Sequence, residues 1–268
     1  MARCILGMTI ALALLAPTVA AQEVPSANEI LDKMIAAAGG EAFAKLGILE
    51  LEVSVEETRN DGTRTTSSFT ALVDTSNLEN MRLEYPGDVV VATNTAGGWS
   101  TTANVVDDRP QVRTMAKLTI NQKLFPLLLP YSLQMEGVWL KEVREATLGG
   151  RDVWVIAIPF SKGFFVNPVL ETTWILVVAK DDYSIVSLEF APSPEYADVS
   201  PVGVRYRTLT TQETDGATVA KQILAIGIDS QYQESGANRV TKIAAEVRPW
   251  DPTLFLSPVQ LEALEEED

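Results

Sequence analysis

The stretch from Ser26 to Asn60 constrains this chain more than any other. Its second half, Leu49-Glu50-Leu51-Glu52-Val53-Ser54-Val55-Glu56, alternates apolar and polar residues without a break. Only a strand with one buried and one wet face satisfies that pattern. Ahead of it, Ser26 and Glu29 have the spacing of a capping box. Ile30, Leu31, Met34, Ile35 and Ala38 then share one helical face. Gly39 and Gly40 stop the helix, because glycine enters the left-handed region without a Cβ penalty. A short helical turn joins helix to strand. Together these predict a helix lying on one face of an antiparallel sheet.

The rest of the chain reads as more of that sheet. Asn60-Asp61-Gly62 is a hairpin turn. Thr63–Val73 follows, with Phe69 and Ala71 on one face and Leu72 on the other. Asn80–Tyr85 puts Met81, Leu83 and Tyr85 on one side and Arg82 and Glu84 on the other. Val89–Ala92 and a strand opened by Trp99 complete a meander. From Val112 to Leu133 the spacing turns helical, and Met115, Leu118, Leu124, Leu127 and Leu128 can share a stripe. Pro126 and Pro130 interrupt this run, which predicts short helices or turns instead of one rod. The apolar run Leu124–Tyr131 is either a core element or a lid over the sheet. Strands resume near Val138, with hairpins around Gly149-Gly150, Lys180–Ser184 and Asp215-Gly216. Ala191–Pro201 reads as a loop, Arg239–Val247 as the last strand, Trp250–Phe255 as an extended clasp and Ser257–Asp268 as a short helix. About ten antiparallel strands at hairpin spacing imply an α+β fold: a strongly curved antiparallel sheet, or incomplete β-barrel, with helices covering its concave face.

Arg3, the apolar run Ile5–Ala16 and Val19-Ala20-Ala21 form a signal-peptide pattern, with cleavage expected after Ala21. Residues 22–268 are then expected to be one exported, periplasmic domain. Cys4 lies inside the signal core and no cysteine stands at the cleavage point, so the expected product is not lipidated. Cys4 is also the only cysteine, and the chain has no histidine. Disulfides, thiolate chemistry, Ser-His dyads and most zinc sites are thereby excluded. No cofactor is implied. A net charge of −15 disfavours nucleic acid as a partner.

Several short motifs carry a resemblance. The run Ala27–Ala42 with its Gly39-Gly40 pair, the stretch Asn77–Leu83, the Gly97-Gly98-Trp99 turn, the Leu148–Val153 hairpin and the strand opened by Trp174 occur in an order that resembles the LolA-like outer membrane lipoprotein-sorting proteins. The resemblance implies an incomplete barrel whose cavity, between sheet and helices, holds acyl chains. It implies the acyl chains of a lipid or lipoprotein as partner, with an envelope membrane protein as a further one. One position departs from that family's pattern. Thr75 stands in Asp74-Thr75-Ser76-Asn77-Leu78 where the family carries a lid-latching arginine. A general lipid-binding role is therefore expected before strict lipoprotein carriage.

The candidate cavity lining is Met81, Leu83, Tyr85, Trp99, Met115, Leu124, Phe125, Leu128, Trp154 and Trp174. Methionine and large rings suit variable acyl chains, although the same residues fill ordinary cores. Arg82 and Arg205 are candidates to meet a lipid headgroup. Asp107-Asp108 and Asp181-Asp182 are candidate calcium ligands, without the loop spacing such sites use. The functional expectation is a periplasmic carrier or binding protein for a lipid or lipidated ligand, not an enzyme. The alternatives are a non-carrier envelope interaction or stress-sensing module with a filled core, and a carboxylate-only enzyme.

Overall fold

The computed structural model describes residues 24–103, 105–107, 109–165, 173–190, 203–229 and 231–266. The signal pattern, the Ala191–Pro201 loop, Asp108 and the last two acidic residues lie outside them.

The chain begins as expected. Helix α1 (Ala27–Ala37) starts on Ser26, whose hydroxyl accepts from the Glu29 amide while the Glu29 carboxylate accepts from the Ser26 amide. Eleven residues are marginal as an isolated helix. Burial of Ile30, Leu31 and Met34, worth about 1.5–3 kcal/mol each, outweighs the cap and holds it. Gly39 (φ 79°) turns the chain into α2 (Gly40–Phe43). A Cβ on Gly39 would sit 2.1 Å from the Gly216 carbonyl oxygen, so this turn lies directly on a hairpin of the sheet.

Thirteen strands follow among the described residues, in a single antiparallel sheet. They are β1 (Ile48–Thr58), β2 (Arg64–Asp74), β3 (Met81–Tyr85), β4 (Val89–Asn94), β5 (Gly97–Thr102) and β6 (Val105–Asp107). After the central helical segment come β7 (Lys141–Leu148), β8 (Arg151–Ile158), β9 (Trp174–Ala179), β10 (Ile185–Phe190), β11 (Gly203–Thr214), β12 (Ala217–Ile228) and β13 (Glu234–Arg248). Strands adjacent in sequence pair with each other, except that β6 and β7 form the two edges and that β1 pairs with β13 and thereby joins the two halves. The order is β6-β5-β4-β3-β2-β1-β13-β12-β11-β10-β9-β8-β7.

This corrects the expected architecture. The sheet is open, neither closed nor strongly curled into an incomplete barrel. Closure would need its edges to form a seam. One edge, β6, is three residues long. The other, β7, is largely exposed and carries Lys141, Glu142, Arg144 and Glu145. Short or charged edges resist pairing. There are also thirteen strands among the described residues instead of about ten, and β6, at three residues, is too short to carry an alternation.

The helices α1, α2 and α3 lie on one face. The central run is broken at its prolines as expected: α3 (Pro110–Leu124) is one helix of 15 residues and stops before Pro126. Pro110 sits in its first turn, where proline is tolerated, and Pro126 and Pro130 lie beyond its end. It packs across β3, β4 and β5. Gly98 permits this, since a Cβ there would meet the Arg113 carbonyl oxygen at 2.4 Å. Residues Phe125–Pro130 and a 3-10 turn (Tyr131–Gln134) continue beneath the helices.

Two apolar clusters form on this face. One joins Leu49, Leu51 and Val53 of β1, Phe69, Ala71 and Val73 of β2, Met81 and Leu83 of β3, and Ile120 and Leu124 of α3. The other joins Ile30, Leu31 and Met34 of α1 to Trp154, Ile156 and Ile158 of β8 and to Trp174, Leu176 and Val178 of β9. Met135 and Tyr206 pack against both. On the opposite face the C-terminal clasp, a 3-10 turn (Pro252–Phe255), buries Phe255 against Ile48 and Leu72. Its carbonyls accept from Arg82 Nη1, Asn94 Nδ2 and Trp99 Nε1 at 3.0, 3.0 and 3.1 Å. Helix α4 (Pro258–Glu265) follows.

Candidate functional site

The helix-covered face is built from the period of two. On β9, Trp174, Leu176 and Val178 point to the helices. On β11 and β12 the register pairs Tyr206 with Ala225 and Val204 with Gly227. Two of these four helix-facing positions, Ala225 and Gly227, therefore carry almost no side chain. Their neighbours Ile226 and Ile228, on the opposite face, are large and buried.

A cleft opens where that bulk is missing. Its volume is about 310 Å³. The floor is aromatic: Trp174 stacks with Phe165, Phe190 and Tyr206, at centroid distances of 5.3, 5.7 and 6.0 Å. Gln122 and Pro126, at the end of α3, form the roof. The mouth is polar, with Glu57 at the end of β1 and Asn238 and Arg239 on β13. Arg239 Nη2 lies 3.7 Å from Glu57 Oε2. Burial pushes the Tyr206 phenol above its usual pKa, and the Arg239 charge opposes that shift. Lys123, next to Gln122, is held below the usual lysine range, first by desolvation and then by Arg239, with Glu57 pulling the other way.

A second cavity of about 450 Å³ lies at the other end of β11. Met34 and Ala38 of the first helix, Leu129, Pro130, Ile185 and Thr208 are among its walls. The segment Phe125–Pro130 lies between the two spaces, with Pro126 facing one and Leu129 and Pro130 the other.

The ten residues singled out from sequence scatter across this geometry. Met81, Leu83, Leu124 and Leu128 are packed together in the first cluster, and Tyr85 packs against it. Phe125, Trp154 and Trp174 belong to the second. Trp99 faces the other side of the sheet: its strand partner is Ala92, which pairs with Arg82, and it lies under the Arg82 guanidinium and the clasp. Met115 is 46% exposed on the outer side of α3. Only Trp174 lines the aromatic cleft.

The other candidates are engaged elsewhere. Arg82 bonds Glu84 and the Leu254 carbonyl. Arg205 is paired with Glu189 at 2.8 Å. Both lie on the face away from the cleft. Asp107 is held by the Arg109 guanidinium at 2.7 Å. Asp181 and Asp182 both bind Arg151, at 2.7 and 2.8 Å. Among the described residues no three acidic side chains converge as a metal site would require. Thr75, at the position of the family's arginine, is buried and donates its hydroxyl to the Gly47 carbonyl.

Sequence reasoning missed Phe165, Phe190, Tyr206, Ala225, Gly227 and Arg239. One signal was available. In Leu224-Ala225-Ile226-Gly227-Ile228 the large residues alternate with small ones, which marks a face with room on it.

No protein-family model matches the chain, and no curated protein sequence does. Solved structures do. A LolA superfamily protein from Nitrosomonas europaea aligns over 87% of this chain and 98% of its own, with a TM-score of 0.56 and 13% identity. A DUF1329 family protein from Desulfovibrio piger aligns over 88% and 99%, with a TM-score of 0.56 and 12% identity. A domain from Vibrio parahaemolyticus named for outer membrane lipoprotein sorting aligns over 90% and 97%, with a TM-score of 0.51 and 12% identity. At these identities the likeness is one of fold: the chain has the broad LolA-like fold.

Proposed function

We propose that this protein is an exported, periplasmic binding protein, one domain over residues 22–268, that holds a lipid or other apolar ligand in the aromatic cleft. The observation that carries this reading is the floor itself. Trp174 and the three rings stacked on it line a cleft of about 310 Å³. Concave, mostly apolar spaces of this size with a few convergent polar groups are the usual form of a small-molecule site. The LolA-like fold and the N-terminal signal pattern support the same direction.

Size limits the cargo. At roughly 30 Å³ per water-sized group, the cleft of about 310 Å³ takes a single chain of about ten carbons. It does not hold the several acyl chains of a lipoprotein at once. The rival reading, an envelope interaction module with a filled core, draws on one observation: most of the lining expected from sequence is packed solid.

Uptake of a fluorescent medium-chain fatty acid tests the proposal. Ala225→Leu places a side chain in the cleft, where there is room for it. Uptake should fall severalfold with an unchanged melting temperature. Equal uptake by wild type and variant would remove the cleft as the site, and no uptake by either would favour the interaction module.

A further inference from the structure

Resting on the proposed function, we infer that the cleft is selective for a single-chain anionic amphiphile, whose charged head is received by Arg239 at the mouth while its chain lies over Trp174. The mouth is built from three elements that bring charge to one place. Glu57 comes from β1 and Arg239 from β13, and Lys123 of α3, next to the lining residue Gln122, adds a charge that both of them feel. Arg239, with Lys123 close enough to act on it, outweighs one carboxylate here, in a chain whose net charge is −15. A local excess of positive charge on so acidic a protein is the reverse of its average surface, and it steers anions to this opening.

Glu57 does not satisfy these cations. Its contact with Arg239 is 3.7 Å long, against about 2.7–2.9 Å for a charge-assisted hydrogen bond. Lys123 has its protonated form disfavoured by partial desolvation and by Arg239. Tyr206 adds a donor: among the described residues no hydrogen bond is formed by its hydroxyl, and it stands on the cleft wall within the influence of Arg239. An anionic group entering here gains the Arg239 cation and a phenol, and relieves the repulsion that Lys123 feels from Arg239. A neutral head gains little of this. A cationic one is opposed. Carboxylate and phosphate heads share the required chemistry.

Isothermal titration of the full mature chain with decanoate, decyl phosphate, decanol and decyltrimethylammonium, each below its micelle concentration, reads the selectivity. Both anions should bind more tightly than decanol, with the cation weakest, and the preference should shrink as salt screens the mouth. The tighter of the two anions identifies the head the site is made for. Arg239→Gln should weaken the anions by about five- to tenfold and leave decanol unchanged, since the side chain is partly exposed. Lys123→Gln should act in the same direction and serves if the first variant does not fold. Glu57→Gln should strengthen the anions by about two- to fivefold, because it removes the competing carboxylate. Decanol binding as tightly as the anions would overturn the head site alone. No binding by any of the four would overturn the proposed function with it.

Discussion

Tyr131 shows how a single residue fixes the helix layer to the sheet. Its ring stacks on Phe43. Its hydroxyl donates to the Ala38 carbonyl at the end of α1 and lies 3.1 Å from the Thr218 carbonyl on β12. The Thr218 amide also donates to the Ala38 carbonyl, at 2.8 Å. The hydroxyl is thus the buried junction of three elements. Burial pushes its pKa up to about 12, whereas an unfolded tyrosine ionises near 10. A raised folded pKa gives stability that is complete below about pH 10 and is lost as the pH rises towards about 12. Tyr131→Phe keeps the ring and deletes the hydroxyl. Urea midpoints should fall by the equivalent of about 1–2 kcal/mol at pH 7 and decline less than wild type between pH 10 and pH 11. An alkaline decline as steep as wild type would show that Tyr131 is not the group responsible.

At the scale of elements, the segment after α3 matters most. Phe125 is fully buried, with Phe160, Phe164 and Phe165 edge-on around it at 5.2, 5.7 and 6.0 Å. Leu124 and Leu128 enter the other cluster. The run is a wedge between two cores, not a flap over one. Its composition alone was ambiguous, because apolar runs with proline serve both purposes. Phe125→Ala should cost about 3–5 kcal/mol in chemical denaturation. A loss below about 1 kcal/mol would mean that the segment is only loosely docked. The strands were legible where alternation was long. Leu49–Glu56 and Met81–Tyr85 each show their buried face in sequence. The end of α3 was legible too, because Pro126 and Pro130 mark where the helix gives way to turns.

For the whole molecule, one sheet of thirteen strands is too wide for its helices to cover evenly. The helix α3 closes one cluster and α1 the other. Both spaces lie along the seam between them, at opposite ends of β11. This explains why the cleft was hard to read from sequence. Its rings come from Phe165, Trp174, Phe190 and Tyr206, and its charges from Glu57 and Arg239, which meet only through the β1–β13 pairing. Local alternation says which face a residue takes and nothing about which distant strand lies beside it. The openness of the sheet was equally invisible, because curl is a property of all the strands together. The most direct test of the account is native mass spectrometry of the protein released gently from a periplasmic extract, wild type beside Ala225→Leu. The account predicts one small apolar or amphipathic ligand on most wild-type molecules and little on the variant. Bare wild-type protein that also takes up no added fatty acid, or equal occupancy of the two proteins, would contradict it.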